Sequence, residues 1–248
     1  MNRNQFNIMK QYQSIHWWYL GRKKLIQYVL FKNKISLKNK SIADIGCGFC
    51  SNLDIYKNYL KSTALLDADD EVISHLKKNF KVKEIIKWVA PEKINRKFDF
   101  VLLTDVIEHI DDDLAAINSI SESLQDDGHI LITVPAYNFF WSSMDDEVHH
   151  KRRYGEYTIK KLLGPEYKFI YFSHYNFFLS PLKFLVIFYE RLCKFFKYNN
   201  NIDHNRLPNS LLNKLFIKIS YLEVRLLSFV KKYPFGVGIV LLAQKKSK

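Results

Sequence analysis

Apolar runs that alternate with helical segments between residues 41 and 134 constrain the fold of this chain most strongly. Five short apolar runs are predicted to be strands: 41–45, 63–67, 82–87, 98–104 and 129–134. Helical patterning separates them at about 51–60, at 70–79, and from Asp111–Asp113 to just before Gly128. This alternation predicts an α/β fold in which helices cover both faces of a parallel sheet.

The C-terminal third of the chain is organised differently. A sixth strand is predicted at 169–172 and a last strand at 237–243. Two long helical stretches lie between them, at about 176–197 and 208–231, separated by the polar run Asn199–Asn209. The chain is therefore predicted to have four parts: an N-terminal helical cap at 1–40, a core at 41–174, a helical insertion at 175–235, and a last strand with a tail at 236–248.

Charge is distributed unevenly along the chain, whose net charge is +13. Residues 1–40 carry nine basic side chains and no acidic ones, whereas residues 41–150 carry ten basic and twenty acidic side chains. Residues 151–248 carry nineteen basic and five acidic side chains. Basic ends favour an anionic partner, which could be nucleic acid, a lipid surface or a phosphate-bearing substrate. Solvated surface lysines are the alternative.

The composition of the chain also bears on its location. No apolar run follows the early basic residues, and Pro181 and Lys183 interrupt the best candidate for a spanning helix. We therefore expect no secretory signal and no membrane-spanning helix, and a cytoplasmic protein with peripheral contact to the inner membrane face as an option. From the three cysteines we expect neither a disulfide scaffold nor a cysteine-built zinc site, which suits a reducing compartment.

The most specific motif is Asp44-Ile45-Gly46-Cys47-Gly48, at a predicted strand-to-helix turn. Glycines there let the backbone turn tightly and approach a ligand where a side chain would clash. Asp67 ends the second predicted strand nineteen residues after Gly48, and its carboxylate can accept two hydrogen bonds from a ribose diol. These features predict a nucleoside-cofactor site. Ser51 occupies the third glycine position of a dinucleotide fingerprint, which disfavours NAD.

The same motif resembles the first motif of class I S-adenosylmethionine-dependent methyltransferases, an acidic residue followed by G-x-G-x-G. Cys50 replaces the third glycine. Segments 98–110 and 124–134 resemble the family's fourth-strand region and the turn and strand that follow it. The resemblance implies a Rossmann-like methyltransferase fold with a mostly parallel seven-stranded sheet, S-adenosylmethionine as cofactor, and methyl transfer. The implied cofactor-binding residues are Arg22, Asp44, Gly46, Gly48, Asn52, Asp67, Ala68, Trp88, Asp105 and Val106.

Two residues of this set have particular predicted roles. Arg22 lies on an early helix that could fold over the mouth of the cofactor site, where it would pair with the methionine carboxylate. Its alternative is a solvated helix arginine beside Lys23 and Lys24. Trp88 stands where the family carries its third-strand motif, and it is expected either to stack on adenine or to pack in the core.

The region after the fifth strand resembles a loop in a group of small bacterial methyltransferases, which implies that it faces the acceptor. This resemblance rests on 135–137, 141–142, Asp145 and 150–154, together with 16–19, Arg22 and 234–236. Within the loop, His150 is the preferred general base because an imidazole changes charge near neutral pH. The alternative is that His149 and His150 are a surface pair. Asp145 would orient it, and His109 is the rival base. The predicted acceptor-binding residues are Trp17, Trp18, Tyr137, Arg152, Arg153 and Tyr154.

Arg152 and Arg153 are expected to bind a phosphate or carboxylate of the acceptor, with a solvated basic turn as the alternative. The acidic run Asp111–Asp113 is predicted to cap a helix rather than to bind a metal, and no metal site is expected. The aromatic and basic helices of the insertion are predicted to form a lid, to contact an anionic membrane surface, or to pack on each other.

The sequence therefore predicts methyl transfer to a small molecule or to a lipid- or glycan-linked acceptor that carries an anionic group. An RNA methyltransferase is less favoured because no added RNA-binding module and no Asn-Pro-Pro-Tyr-like motif is present. The remaining alternative is a binding protein with a methyltransferase fold that has lost catalysis. Replacement of the third glycine by Cys50 and the poorly kept third-strand motif leave it open.

Overall fold

Seven strands form one sheet in this computed structural model, which describes residues 10–196 and 207–247. The strands are β1 (Ile42–Ile45), β2 (Thr63–Asp67), β3 (Glu84–Lys87), β4 (Phe98–Thr104), β5 (Leu124–Pro135), β6 (Tyr167–Tyr175) and β7 (Gly238–Lys245). The helices are α1 (Trp17–Lys32), α2 (Leu53–Tyr56), α3 (Asp70–Asn79), α4 (Asp113–Ser123), α5 (Ser143–Glu147), α6 (Glu156–Leu163), α7 (Ser180–Phe195) and α8 (Ser210–Val230). Short 3₁₀ helices span Lys57–Ser62, Ile107–His109 and Asn138–Phe140.

The strand order is β3-β2-β1-β4-β5-β7-β6. Strands β1 to β5 pair in parallel, and β7 runs antiparallel to both β5 and β6. The predicted seven-stranded, mostly parallel sheet is therefore confirmed. The order reverses between β1 and β4, and the carboxyl ends of these adjacent strands open at one edge, where α/β folds place their ligands.

Alternating side chains of the central strands supply two cores, one on each face of the sheet. On β4, Phe100 and Leu102 belong to one buried cluster and Val101 and Leu103 to the other, as the period of two along a strand requires. Helices α1 and α8 pack against each other on the first face. Helices α4 and α6 cover the second face.

Several element boundaries differ from the sequence prediction. The helix predicted at 51–60 is the single turn α2 followed by a 3₁₀ helix. Helix α4 ends at Ser123, because Leu124 already pairs with Phe98 of β4, so β5 begins before the predicted residue 129. As predicted, the acidic run caps α4: the Asp112 carboxylate accepts a hydrogen bond from the Ala115 N–H.

Helices α7 and α8 lie between β6 and β7, where the helical insertion was predicted. Most of the polar run 199–209, and residues 1–9 of the predicted cap, lie outside the described residues. Within the described ranges, no helix combines the length and the apolar character that crossing a membrane requires.

Candidate active site

The loop after β1 has left-handed backbone at three positions: φ is +63° at Gly46, +51° at Gly48 and +65° at Cys50. A Cβ atom at Gly46 would lie 2.5 Å from Val106 Cγ2, so glycine is required where this loop meets the end of β4. Cys50, at the family's third glycine position, keeps the glycine-like conformation although it carries a side chain. The loop therefore has the shape that the motif predicts, at the cost of backbone strain at Cys50.

Cys47 and Cys50 have the C-x-x-C spacing, which our sequence argument from cysteine number overlooked. Both are buried free thiols. A hydrogen bond with Cys50 and burial raise the pKa of the Cys47 thiol well above its usual value. The Cys47 thiol therefore stays protonated at neutral pH. Both cysteines serve here as small packing groups in the loop.

Asp44, on β1, stabilises the loop from the buried side. It is completely buried and accepts a 2.7 Å hydrogen bond from the Tyr56 hydroxyl. Asn52 lies 3.5 Å from both Asp44 oxygens and donates a 2.9 Å hydrogen bond to Thr104 Oγ1. Burial raises the pKa of Asp44 to about 7, against the hydrogen bonds from Tyr56 and Asn52. Asp44 therefore holds the loop from within the protein and exposes no oxygen to a ligand.

Asp67 lies beside the glycine loop at the end of β2. The Gly48 N–H donates to Asp67 Oδ2 at 2.9 Å, and the Asp69 N–H donates to Oδ1 at 3.1 Å. Burial raises the pKa of the Asp67 carboxyl, although these backbone hydrogen bonds lower it. The side chain is partly open to solvent and the neighbouring Ala68 is exposed. This is the position that a ribose-binding acid requires.

Arg22 reaches the site from α1. Its guanidinium pairs with Asp105, donates to Ser51 Oγ at 2.9 Å and is 5% exposed. Asp105 has φ +52° and also accepts a 2.9 Å hydrogen bond from Thr133 Oγ1. The Nε atom of Arg22 is buried without a partner. The structure thus places Arg22 and Asp105 together.

These residues fit the cofactor that the resemblance implies. Asp67 is placed for the ribose diol, and the unpartnered Nε of Arg22 beside Asp105 offers a cation and an anion for the methionine carboxylate and ammonium groups. Gly46, Gly48 and the partly buried Val106 line the loop between these two ends.

The predicted acceptor side contains a buried Asp145–His150 pair. His150 Nδ1 lies 2.8 Å from Asp145 Oδ1. Burial raises the pKa of Asp145, but hydrogen bonds from His150 and Arg153 outweigh burial and hold that pKa far below its usual range. An ionised carboxylate can only accept, so Nδ1 of His150 carries the proton and Nε2 is left to face Glu108.

Sequence reasoning missed Glu108, which lies next to His109. It is completely buried, and neither carboxyl oxygen has a hydrogen-bond partner. Its Oε1 lies 3.9 Å from His150 Nε2, and the rings of His109 and His150 are 4.7 Å apart. Burial raises the pKa of Glu108 well above its usual value and lowers the pKa of His109 to about 4. The sequence feature that could have identified Glu108 is its acidic side chain within 98–110, a segment already assigned to the site.

Two predicted acceptor-binding residues point inward instead. Arg153 donates to both oxygens of Asp145 at 2.8 and 3.0 Å and to the Ala136 carbonyl at 3.0 Å, and its side chain is 5% exposed. The buried Tyr154 hydroxyl donates to Asp113 Oδ2 at 2.8 Å. Both side chains are satisfied within the protein, which corrects the prediction that they face the acceptor.

Two further predictions change in the structure. Arg152 remains partly exposed but pairs with Asp113 at 2.7 Å and donates to the Asp111 carbonyl at 2.6 Å. Trp88 is buried in the core, where its indole N–H donates to the Glu92 carbonyl at 2.7 Å. Trp88 is therefore a core residue, as the second of its two predicted roles stated, and the structure does not support stacking of Trp88 on adenine.

The predicted aromatic residues are partly buried near the same edge. Trp17 contacts Phe216 of α8, with ring centroids 5.5 Å apart, and Trp18 contacts Tyr175 at 5.7 Å. Tyr137, in the loop after β5, has φ +49°. It stacks on His174 at 5.2 Å. The N-terminal helix and the loop after β5 thus both contribute aromatic rings to this end of the molecule.

Comparison with known proteins agrees with this geometry. Residues 16–183 match the family model described as "Methyltransferase domain". A tRNA U34 carboxymethyltransferase of Aliarcobacter butzleri (strain RM4018) is 31% identical over 114 residues, which cover 43% of this chain and 38% of that protein. The chain thus spans well under half the length of that relative.

Solved structures share the fold at low sequence identity. A SAM-dependent methyltransferase from Archaeoglobus fulgidus superposes with a TM-score of 0.53 at 16% identity, covering 90% of this chain and 94% of that one. An S-adenosylmethionine-dependent methyltransferase from Clostridium acetobutylicum ATCC 824 superposes with a TM-score of 0.56 at 13% identity, covering 92% of each chain.

Proposed function

Since this chain belongs to the family of methyltransferase domains and depends on S-adenosylmethionine, we propose that it methylates an amphiphilic acceptor, a lipid- or glycan-linked small molecule. A continuous aromatic path carries the proposal. It runs from the loop after β5, next to the Asp145–His150 pair, to the exposed apolar face of α7.

The aromatic path consists of four stacked rings. Tyr137 lies between His174 at 5.2 Å and Phe139 at 5.0 Å, and Phe139 stacks on Phe184 of α7 at 5.8 Å with an angle of 5° between the rings. Phe139 and Phe184 are 48% and 43% exposed. An apolar chain or ring of an acceptor could lie along these rings while its polar end reaches the histidines.

Helix α7 extends this path with a broad apolar face. Leu185, Phe188 and Phe195 are 65%, 62% and 79% exposed, whereas Ile187 packs inward. Arg191 and Lys194 are exposed on the same helix. Aromatic and basic side chains on one helix surface favour contact with an anionic lipid interface. We therefore place the acceptor at such an interface, with the protein bound peripherally.

The chemistry needs a donor, a positioned acceptor and a route for a proton. S-adenosylmethionine, when bound, supplies a methyl group made electrophilic by its sulfonium. Asp67, Arg22 and Asp105 would hold the cofactor's two ends. Nε2 of His150, oriented by Asp145, is available to take a proton from an acceptor hydroxyl as the methyl group moves.

Methyl transfer from radiolabelled S-adenosylmethionine to membrane-lipid extracts tests this proposal. The pair Leu185→Ser and Phe188→Ser should reduce labelling and binding to anionic vesicles at least tenfold. Cofactor affinity and thermal stability should be unchanged, because both side chains are mostly exposed. Tyr157→Ser, which removes a 75% exposed aromatic ring on α6, is the matched control. Labelling that persists in the α7 variant would contradict the amphiphilic acceptor.

RNA is the second candidate acceptor. The relative from Aliarcobacter butzleri is named for a tRNA nucleotide, and this chain has a net charge of +13. The same labelling assay with total tRNA tests it. An RNA acceptor predicts labelled tRNA and a binding constant that falls steeply with salt. Labelling confined to the lipid fraction would exclude it.

A further inference from the structure

We propose that Glu108, His109 and His150 bind one divalent first-row transition-metal ion on the acceptor side of the site. The three residues come from two segments, the 3₁₀ helix after β4 and the loop before α6. One ligand atom from each lies within 4.8 Å of the others. In the described part of the chain, this is the group whose spacing suits an ion.

The unpartnered carboxylate of Glu108 points to a ligand independently of that spacing. Its side chain is completely buried, yet neither oxygen has a hydrogen-bond partner. Burying a carboxyl group without partners is costly, and native proteins satisfy such groups almost without exception. A cation between Glu108 and the two imidazoles would give this carboxylate a partner.

The separation of the His150 and Glu108 ligand atoms matches a shared ion. His150 Nε2 and Glu108 Oε1 are 3.9 Å apart, which is too long for a hydrogen bond. Two ligands each about 2.1 Å from one ion lie roughly 3–4 Å apart, depending on the angle between them. The gap is therefore wide enough for an ion and too wide for direct contact.

Asp145 already orients His150 as a metal ligand. It accepts hydrogen bonds from the Ser142 N–H and from Arg153 and lies 2.8 Å from His150 Nδ1. It therefore accepts from Nδ1–H, and the free lone pair of Nε2 is directed towards Glu108. Protein metal sites use this carboxylate–histidine arrangement to fix the tautomer and orientation of the imidazole. Asp145 is a positioning residue in this arrangement.

The donor set selects the class of ion. Two imidazoles and one carboxylate suit Mn²⁺, Fe²⁺, Co²⁺ or Zn²⁺, whereas Mg²⁺ and Ca²⁺ prefer oxygen ligands. Three protein ligands leave coordination positions open for an acceptor oxygen. The oxygens of Asp105 are held by Arg22 and Thr133, so they are not needed for the site.

A catalytic use of the ion rests on the proposed function, whereas binding of the ion does not. An acceptor hydroxyl bound to the ion would lose its proton to water, because the cation stabilises the alkoxide. The oxygen lone pair would then form the new C–O bond as the C–S bond of the methyl donor breaks, with that electron pair remaining on sulfur. The ion would replace His150 as the group that activates the hydroxyl.

Titration of the metal-free full chain with Co²⁺ tests the site. We expect one Co²⁺ per chain, with visible absorption bands of a nitrogen and oxygen ligand set and no thiolate charge-transfer band from Cys47 or Cys50. Glu108→Gln and His150→Gln should each weaken binding at least tenfold. His149→Asn is the matched control, because His149 is exposed and lies outside the cluster, and asparagine tolerates its φ of +60°.

Folded wild-type protein that gives no Co²⁺ bands would overturn the proposal. So would Co²⁺ binding that Glu108→Gln leaves unchanged, with thermal melts confirming that the variant is folded. A parallel titration with S-adenosylhomocysteine separates this proposal from the function. Cofactor binding without Co²⁺ binding would contradict the metal site and leave the proposed methyl transfer standing. Co²⁺ binding without cofactor binding would support the metal site and contradict the proposed methyl transfer.

Discussion

Arg22 and Asp105, which are 83 residues apart in the chain, form a buried ion pair between α1 and the end of β4. The pair ties the N-terminal helix to the edge of the sheet where β1 and β4 open. The same two side chains are the ones that we propose to hold the methionine end of the cofactor. On that proposal, the packing of α1 on the sheet also completes the cofactor site.

Removing Arg22 should destabilise the protein as well as weaken cofactor binding. Arg22→Met leaves the partly buried Asp105 carboxylate beside Thr133 without its cation, which we expect to cost about 3 kcal/mol of unfolding free energy. Urea denaturation measures this change. Lys23→Met is the control, since Lys23 pairs with an exposed Asp54 and should cost less than about 1 kcal/mol. Equal effects of the two substitutions would contradict the buried ion pair.

The left-handed conformation of Cys50 predicts that glycine and alanine replacements differ in stability. Cys50→Gly relieves the strain at φ +65°, whereas Cys50→Ala removes the thiol and keeps the strained Cβ. We expect the glycine variant to be about 1 kcal/mol more stable than the alanine variant. The midpoint of urea denaturation of the two variants is the comparison. An alanine variant as stable as the glycine variant would show that the loop relaxes at this position.

Asp44 should make stability fall as pH rises. Burial raises its pKa to about 7 in the folded chain, above the value of about 4 in an unfolded chain. Between these two pH values Asp44 is protonated in the folded chain and ionised in the unfolded chain. Its contribution to the unfolding free energy is therefore fully present below about pH 4 and is lost as pH rises through about 7. Asp44→Asn cannot ionise and should lose this dependence.

Unfolding free energies of wild type and Asp44→Asn, measured from pH 4 to pH 8, test that expectation. As pH rises within this window, the unfolding free energy of Asp44→Asn should increase relative to that of wild type, by at most roughly 1.4 kcal/mol per pH unit. Asparagine can still accept the Tyr56 hydrogen bond, so the fold should be retained. Parallel pH profiles of the two proteins would show that Asp44 does not titrate there.

The inward position of Arg153 predicts a structural role that its neighbour Arg152 lacks. Arg153→Met leaves the buried Asp145 carboxylate without its guanidinium partner and should cost about 3–5 kcal/mol. Arg152→Met, at a partly exposed position, should cost about 1 kcal/mol or less. Chemical denaturation of both variants makes the comparison. A stable Arg153→Met protein would restore the original prediction that this arginine serves the acceptor.

Local sequence was sufficient to predict the shape of the glycine loop and the acid beside it. The spacing of Gly46, Gly48 and Asp67 determines backbone shape and places an acid at the end of a strand, and both are properties of short segments. The alternation of apolar runs likewise predicted β2, β4 and α3 with their observed bounds, because burial on both faces leaves a strong periodic signal. The same segments carry the resemblance to class I methyltransferases, which implied the family and its cofactor.

Tertiary structure decided the arrangement of the predicted acceptor side. The sequence shows His150, Arg152, Arg153 and Tyr154 as one run, but it contains nothing that says which of them face inward. That depends on Asp145 and Asp113, which reach Arg153 and Tyr154 only after α4, α5 and the loop have packed.

Glu108 shows the same limit most clearly. The sequence shows an acid in an apolar segment. That its side-chain oxygens are buried without hydrogen-bond partners, and that it lies near His150, is decided only when the segment after β4 and the segment before α6 pack together. Backbone conformation is set largely by neighbouring residues, and so the sequence by itself determined the sheet and the cofactor loop. The partners of a buried charge come from distant segments, and so only the folded chain decided which groups hold the structure and which are left for a ligand.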